Sequence, residues 1–199
     1  MTGTPTLAPA RQGSTRRVVG LVSAVVLVDV LFYSAITPLL PSYVAELGLS
    51  KSQAGQLAGA YALGTLLASL PAGWLAARAG ARRTLLGGLA LLAASSIAFA
   101  FGTSFVPLAA ARFAQGVSGA ASWAAGLTWL VSVTPRERRA QVIGAALGTG
   151  IAGSIGGPVL GALAHVVGPR PVFSGVGVLA LGLAVAVAFT PLSGDAPPT

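Results

Sequence analysis

Six long apolar runs divide the sequence, and short polar or basic segments separate them. The runs cover residues 18–40, 54–76, 84–101, 105–133, 140–167 and 172–189. A helix needs about 20 residues to cross the hydrocarbon core of a bilayer, within a range of about 17 to 25. Because lipid offers no hydrogen-bond partners to exposed backbone groups, each run is predicted to be a transmembrane helix.

Composition supports a membrane protein and argues against an enzyme. The chain is 54% hydrophobic and only 8% charged, whereas a soluble domain averages about 25% charged residues. With no cysteine and one histidine, it has no thiol chemistry and no residues for a metal cluster. No phosphate-binding loop is present either. We therefore expect an all-α membrane protein that is not an enzyme and uses no cofactor or metal.

The basic residues predict how the chain crosses the membrane. If the spans alternate in direction, nine arginines fall on one side: Arg11, Arg16, Arg17, Arg78, Arg82, Arg83, Arg136, Arg138 and Arg139. The opposite side carries only Lys51 and Arg170. Loops rich in arginine and lysine stay in the cytoplasm, so both termini are predicted to be cytosolic in a multi-pass plasma-membrane protein. This distribution also accounts for the net charge of +8 without a nucleic-acid partner.

The predicted organisation has three parts. Residues 1–17 form a disordered cytosolic arm, residues 18–190 form the transmembrane bundle, and residues 191–199 form a cytosolic tail. The loops carry helix-capping signals. Ser50 with Gln53 predicts a capping box at the start of the second span, and Thr134 with Glu137 predicts another before the fifth.

A weak internal repeat relates the two halves of the bundle. Three pairs of identical residues share an offset of 88 positions: Gly73 and Gly161, Arg82 and Arg170, and Gln53 and Gln141. Three spans separate the copies, so they would have opposite orientations in the membrane. Inverted repeats of three helices are typical of secondary transporters, although coincidence in a chain rich in Gly and Ala is the alternative.

Two charged residues lie deep inside predicted spans. Asp29 is eleven residues into the first span and Arg112 about seven residues into the fourth, which gives depths of about 16 Å and 10 Å from opposite sides. The two charges therefore reach similar depths. Isolated charges are costly inside a bilayer, so we expect Asp29 and Arg112 to pair. The pair either serves proton and substrate coupling or only fixes helix packing.

Polar and aromatic residues follow each of these charges at helical spacing. Tyr33 and Thr37 lie on the face of Asp29, and Gln115 and Gly119 lie on the face of Arg112. Trp123 lies eleven positions after Arg112 and either stacks on a flat or cationic substrate or serves packing. We predict that these five residues line a cavity.

The fifth span contains a stripe of glycines around a proline. Gly153, Gly157 and Gly161 lie on one face, and Pro158 interrupts the backbone hydrogen bonding. A neighbouring helix can approach such a face closely. The stripe is either a gate at the interface between two transporter halves or ordinary small-residue packing.

The motifs taken together resemble those of the major facilitator superfamily. "GWLAARAGARR" resembles the family's loop motif through Gly73, Leu75, Arg78, Gly80, Arg82 and Arg83. "RFAQGVSGA" resembles the family's fourth-span motif, and "GSIGGPVLG" resembles the fifth-span antiporter motif. "LFYSAITPLLP" resembles the first-span motif that ends in two prolines, here Pro38 and Pro41. The last two motifs are most similar to those of drug/proton antiporters. One departure is Ala77, which stands where the loop motif has an acidic residue that forms part of a cytoplasmic latch.

The resemblance implies six transmembrane helices arranged as two inverted three-helix repeats, which is half of a major facilitator fold. It implies proton-coupled efflux of small amphipathic or drug-like compounds, with Asp29 alternating between proton and substrate and Arg112 tuning that exchange. A family transporter has two such halves. We therefore expect a homodimer, or assembly with a separate six-span half. The alternative is a truncated remnant or a non-transporting accessory membrane subunit.

The predicted topology can be tested by labelling single cysteines with a membrane-impermeant reagent, since the chain has no cysteine of its own. Cysteines at positions 48 and 103 are expected to react in intact cells. Those at positions 5, 81 and 137 are expected to react only after the membrane is opened. External labelling at 81 or 137 would overturn the topology.

Overall fold

The computed structural model describes residues 9–190, which form a bundle of helices. The helices are α1 (Pro9–Ala35), α2 (Leu40–Leu47), α3 (Lys51–Ala79), α4 (Ala81–Ala100), α5 (Phe105–Val133), α6 (Arg139–Val167) and α7 (Pro169–Ala188). Short 3-10 helices at Thr37–Leu39 and Arg136–Arg138 precede α2 and α6. Within the described residues there is no strand, which confirms the all-α prediction.

The helices form the six predicted spans, with α1 and α2 together making the first. By length and apolarity, five helical segments of the described chain can cross a membrane. The remaining span, α5, is 29 residues long and carries the polar side chains of Arg112 and Gln115. Those two side chains are buried, so α5 has its polar groups inside the bundle rather than against lipid.

The first helix begins earlier than the sequence indicated. α1 starts at Pro9, so residues 9–17 of the predicted disordered arm are helical and continue into the first span. A hydrogen bond holds this extension against the bundle, because the Thr15 hydroxyl donates to the backbone oxygen of Val133 at 3.1 Å. Residues 1–8 of the predicted arm and the predicted tail, residues 191–199, lie outside the described residues.

One of the two predicted capping boxes is present. The Ser50 hydroxyl accepts from the Gln53 backbone at 3.1 Å, and the Gln53 side chain accepts from the Ser50 backbone at 2.8 Å. The box predicted at Thr134 is wrong. The Thr134 hydroxyl instead donates to the Leu130 carbonyl at 2.6 Å, so it completes the end of α5 and leaves α6 without a side-chain cap.

The internal repeat is confirmed by the structure. Gly80 joins α3 to α4 with φ +91°, and Gly168 joins α6 to α7 with φ +94°, an offset of 88 residues. A positive φ is strained for residues with a side chain, which explains glycine at both corners. The same offset relates Phe101 and Phe189, each of which ends its helix with bonds to two preceding carbonyls. The bundle therefore consists of two three-helix repeats.

Helices of the two repeats pack in matched pairs. α1 packs along α6, α3 along α5, and α4 along α7. The loop arginine Arg82 contributes to the last pair, because its guanidinium donates to the carbonyls of Val187 and Ala188 at the end of α7. A cation at the negative end of a helix is stabilising, so this residue of the loop motif fixes α4 against α7.

The glycine stripe of the fifth span lies inside the bundle. A Cβ on Gly153 would come 2.9 Å from the Leu27 carbonyl oxygen of α1, and one on Gly161 would collide with the Ala35 carbonyl. The stripe therefore lets α6 approach the α1 backbone. The three glycines thus serve packing within one bundle. α6 continues without interruption through Pro158, which is exposed.

This packing predicts which glycines of α6 tolerate a side chain. Gly157→Ala would place a methyl group 2.7 Å from the Leu31 carbonyl oxygen. We expect it to destabilise the bundle by about 1–3 kcal/mol, the usual cost of overpacking. Gly148→Ala is the matched control, because nothing lies within 4 Å of its Cβ position. Thermal unfolding in detergent should give a lower midpoint for Gly157→Ala alone; equal midpoints would contradict the close α1–α6 contact.

Candidate functional site

A buried carboxylate lies at the meeting point of α1, α3 and α5. Asp29 is only 1% exposed. The Tyr61 hydroxyl of α3 donates to Asp29 Oδ2 at 3.1 Å, and the Trp123 indole nitrogen of α5 donates to the same oxygen at 3.2 Å. Two neutral donors thus hold one carboxylate oxygen, while Oδ1 has no hydrogen-bond partner among the described residues.

Small residues bring the three helices close enough for these bonds. A Cβ on Gly119 of α5 would lie 2.6 Å from the Tyr61 hydroxyl and 3.2 Å from Asp29 Oδ1, so glycine leaves room there for the hydrogen-bonded pair. α3 and α5 also meet at Gly64 and Gly116, where each glycine faces the backbone of the other helix. The Thr65 hydroxyl donates across this contact to the Gly116 carbonyl at 3.1 Å. The contact fixes α3 so that Tyr61 reaches Asp29.

The second buried charge is Arg112, which is also 1% exposed. Its Nη1 donates to Gln115 Oε1 at 3.0 Å, and Gln115 Nε2 donates to the Ser95 carbonyl of α4 at 3.3 Å. The guanidinium lies over two aromatic rings, with its Cζ 5.1 Å from the centroid of Tyr61 and 5.7 Å from that of Tyr33. Such cation–π contacts stabilise a desolvated guanidinium.

The predicted direct ion pair between Asp29 and Arg112 is not formed. No ion pair joins them in the described part of the chain, and Arg112 Nε and Nη2 have no hydrogen-bond partner there. Tyr61 stands between the two charges instead, because its hydroxyl binds Asp29 and its ring faces Arg112. The sequence placed both charges at a similar depth, and the shared tyrosine explains how they lie near each other without touching.

The residues predicted to line a cavity lie in four different environments. Trp123 donates to Asp29, and the side of Gly119 that lacks a Cβ faces the carboxylate. Tyr33 is 43% exposed and stacks on Tyr61 with ring centroids 4.6 Å apart. Gln115 is fully buried behind Arg112, and Thr37 is exposed at the start of a 3-10 helix. The open face of the site is therefore aromatic, with Tyr33, Tyr61 and Trp123 covering the carboxylate.

The two motif groups lie away from this site. The loop-motif arginines are at the α3–α4 corner, where Arg78 lies over the Trp74 ring at 5.0 Å and Arg82 binds the end of α7. The remaining loop-motif residues, Gly73, Leu75, Gly80 and Arg83, lie on α3, at its end and on α4. The residues of the fifth-span motif pack on α1, as described above. Neither group contacts Asp29 or Arg112.

The sequence analysis missed Tyr61 and Ser95. Tyr61 is a polar aromatic in the middle of an apolar run, with Thr65 one turn later on the same face. This pattern is the same one that singled out Tyr33 and Thr37. Ser95 contributes only its backbone carbonyl, a role that no side-chain pattern signals.

The family follows from a comparison with family models. The model described as Major Facilitator Superfamily matches residues 22–199. The chain belongs to the major facilitator superfamily.

Individual relatives support the same family assignment, and they are much longer than this chain. Quinolone resistance protein NorA of Staphylococcus aureus (strain MRSA252) is 32% identical over 160 residues, which cover 78% of this chain and 41% of NorA. MFS-type transporter ppzB of Metarhizium rileyi is 37% identical over 105 residues, covering 53% of this chain and 22% of that protein. The chain therefore spans less than half the length of these relatives.

Solved structures support the same fold at low sequence identity. The proton:xylose symporter XylE bound to 6-bromo-6-deoxy-D-glucose superposes with a TM-score of 0.78 and 14% identity. The match covers 92% of this chain and 46% of the symporter chain. A bacterial homologue of the human lysosomal transporter Spinster gives a TM-score of 0.76 at 17% identity. The described helices thus have the major facilitator fold.

The geometry predicts that the two tyrosines of the site are not equivalent. Tyr61→Phe removes a hydrogen bond to a carboxylate, which contributes about 1.5–3 kcal/mol, so the unfolding midpoint in detergent should fall by about 3–6 °C or more. Tyr33→Phe keeps its ring against Arg112 and removes no hydrogen bond to Asp29, so its midpoint should match the wild type. Equal midpoints for the two variants would contradict the Tyr61–Asp29 bond.

Proposed function

We propose that this protein is a proton-coupled membrane transporter that exports small amphipathic or drug-like compounds, rather than an enzyme or a structural membrane protein. The observation that carries the proposal is Asp29, a carboxylate held by neutral donors at the centre of the bundle. Burying an ionisable side chain in the membrane is costly, so intramembrane ionisable residues mark proton and substrate pathways.

The arrangement around Asp29 suits alternation between a proton and a substrate. Its Oδ1 atom makes no hydrogen bond within the described chain, so it can receive a proton or a polar group of a substrate. The aromatic cover of Tyr33, Tyr61 and Trp123 offers flat faces to an amphipathic or cationic compound. Protonation of Asp29 would remove the charge that such a cation needs, which would make binding of the two mutually exclusive.

Arg112 would tune this exchange through space. It faces Tyr61, the residue that donates to Asp29, so its charge acts on the carboxylate without occupying it. A direct salt bridge would occupy the Asp29 carboxylate, whereas a cation behind a tyrosine leaves the carboxylate free to bind a proton or a substrate. We therefore keep for Arg112 the role of tuning the exchange at Asp29, which the family resemblance implied. It acts from behind Tyr61 and not through a direct ion pair.

The comparisons support efflux as the direction of transport and drug-like compounds as the substrates. The relative NorA is named for quinolone resistance, and the fifth-span motif is similar to that of antiporters. We infer that this chain handles compounds of that general kind. The arginine distribution supports a plasma-membrane location with both termini in the cytosol.

We further propose that a second six-helix bundle covers one side of this one. α3 and α6 leave apolar rows exposed that the repeat relates to each other, with Leu63, Leu67 and Leu75 on α3 and Ile151, Ile155 and Leu163 on α6. The matched region makes up 46% of the XylE chain, which is consistent with one of two bundles. The second bundle can be another copy of this chain or a separate half.

The contact with a second bundle can be tested by cysteine crosslinking in native membranes. The cysteines belong at exposed positions such as Ile155 and Leu67, because Gly153 and Gly157 are covered by α1. A crosslinked species of higher mass is expected at one of the exposed positions and not at Gly153. A monomer at every exposed position would contradict assembly with a second copy of this chain.

Asp29→Asn should abolish proton-dependent export. Asparagine keeps the size of the side chain but cannot exchange a proton. Efflux of a fluorescent amphipathic cation would be followed in cells that lack their own multidrug pumps, with an uncoupler to collapse the proton gradient. Glu137→Gln is the control, because it removes an exposed acid from a loop.

The wild-type chain and Glu137→Gln should export the dye until the uncoupler is added, and Asp29→Asn should not. Proton-dependent export by Asp29→Asn would remove Asp29 from the mechanism. Export by none of the variants, with normal membrane insertion, would refute transport by this chain and favour the accessory-subunit alternative.

A further inference from the structure

We propose that an anionic phospholipid binds in a cleft between α1 and the start of α6. The cleft has a volume of about 580 Å³. Its walls are Thr15, Arg16, Val19, Gly20, Thr134, Pro135, Arg138, Gln141, Val142 and Ala145. It lies at the end of the bundle that carries most of the arginines, far from Asp29, and the proposed transport mechanism does not use it.

The lining of the cleft changes from cationic to apolar along both helices. On α1, Arg16 is followed by Val19 and Gly20. Arg138 lies directly before α6, and Val142 and Ala145 follow on α6. Ala145 lies seven positions after Arg138, which is about 10 Å of helical rise. The cleft therefore has a cationic mouth at the membrane surface and an apolar floor below it. The mouth is complementary to an anionic phospholipid head group, and the floor is complementary to the first part of an acyl chain.

The two arginines at the mouth are available to a ligand. In the described part of the chain, neither the Arg16 nor the Arg138 side chain makes a hydrogen bond or an ion pair, and both residues are exposed. Other bonds fix the walls: Thr15 binds the Val133 carbonyl, and Arg139 Nε binds the Thr134 carbonyl at 3.2 Å. The cleft is thus built without using the guanidinium groups of Arg16 and Arg138.

The chemistry of the mouth selects a phosphate group with net negative charge. Guanidinium groups bind phosphate oxygens through paired, charge-assisted hydrogen bonds, and basic pockets between transmembrane helices on the cytoplasmic side bind anionic head groups. A phosphatidylcholine also carries a phosphate, but its ammonium group would face two arginines. Free phosphate would satisfy the mouth and leave the apolar floor without a partner. An anionic lipid such as phosphatidylglycerol therefore fits the cleft better than phosphatidylcholine or free phosphate.

The first pair of variants separates a defined site from general attraction to basic residues. Arg16→Gln with Arg138→Gln removes both charges from the cleft. Arg17→Gln with Arg136→Gln is the matched control, since it removes the same charge from neighbouring exposed positions that do not line the cleft. We expect binding of phosphatidylglycerol to weaken about 30-fold in the first double variant and much less in the control.

The second pair fills the apolar floor without changing the charge. Gly20→Leu places a side chain in the cleft, and nothing lies within 4 Å of the Cβ position, so the bundle can accept it. Gly144→Leu is its control, because Gly144 is equally open but lies outside the cleft. Only Gly20→Leu is expected to weaken lipid binding.

Native mass spectrometry of the purified, delipidated chain measures the binding directly. Phosphatidylglycerol, phosphatidylcholine and glycerol phosphate are added separately in mild detergent. The wild type should retain phosphatidylglycerol in preference to the other two, with the losses given above for the cleft variants. Equal retention of phosphatidylcholine, equal binding of glycerol phosphate, or equal losses in the controls would each overturn the proposal. The comparison of ligands on the wild type needs no variant to fold. No substrate or proton gradient is involved, so failure of the transport proposal leaves this result unaffected.

Discussion

The structure depends on how a carboxylate is accommodated in an apolar helical bundle. Asp29 is buried without a direct cation partner, and two neutral donors, Tyr61 and Trp123, bind one of its oxygens. Leaving a buried charge without hydrogen bonds would cost several kcal/mol, so the helices that supply these donors cannot move apart freely. This requirement brings α1, α3 and α5 together at one depth and places Arg112 behind the tyrosine.

Close helix approach is the means by which the bundle meets that requirement. Gly64 and Gly116 let α3 and α5 touch through their backbones, and Gly119 leaves room for the carboxylate. On the other side, Gly153 and Gly157 let α6 approach α1 in the same way. Small residues at helix contacts are the usual solution in lipid, where burying apolar side chains gives little driving force. The α3–α5 pair and the α1–α6 pair therefore use the same kind of contact.

Patterns along the sequence were sufficient to predict much of this fold. Apolar run lengths gave the six spans, and the offset between Arg82 and Arg170 predicted the repeat that Gly80 and Gly168 complete. The buried positions of Asp29 and Arg112 followed from their depth. What the sequence could not give is which helices face each other. The glycine stripe on α6 was compatible with any neighbour, and the tyrosine between the two charges comes from a third helix. Thr134 shows the same limit locally, because its hydroxyl could complete α5 or cap α6.

We propose that Asp29 is the group within the bundle that gains and loses a proton. The chain has only four acidic residues, so infrared difference spectroscopy between two pH values can separate them. We expect a carboxylic-acid carbonyl band that titrates in the wild type and in Glu137→Gln. The band should be shifted in Tyr61→Phe and missing in Asp29→Asn. A wild-type spectrum in which every titrating carbonyl band persists in Asp29→Asn would contradict the claim.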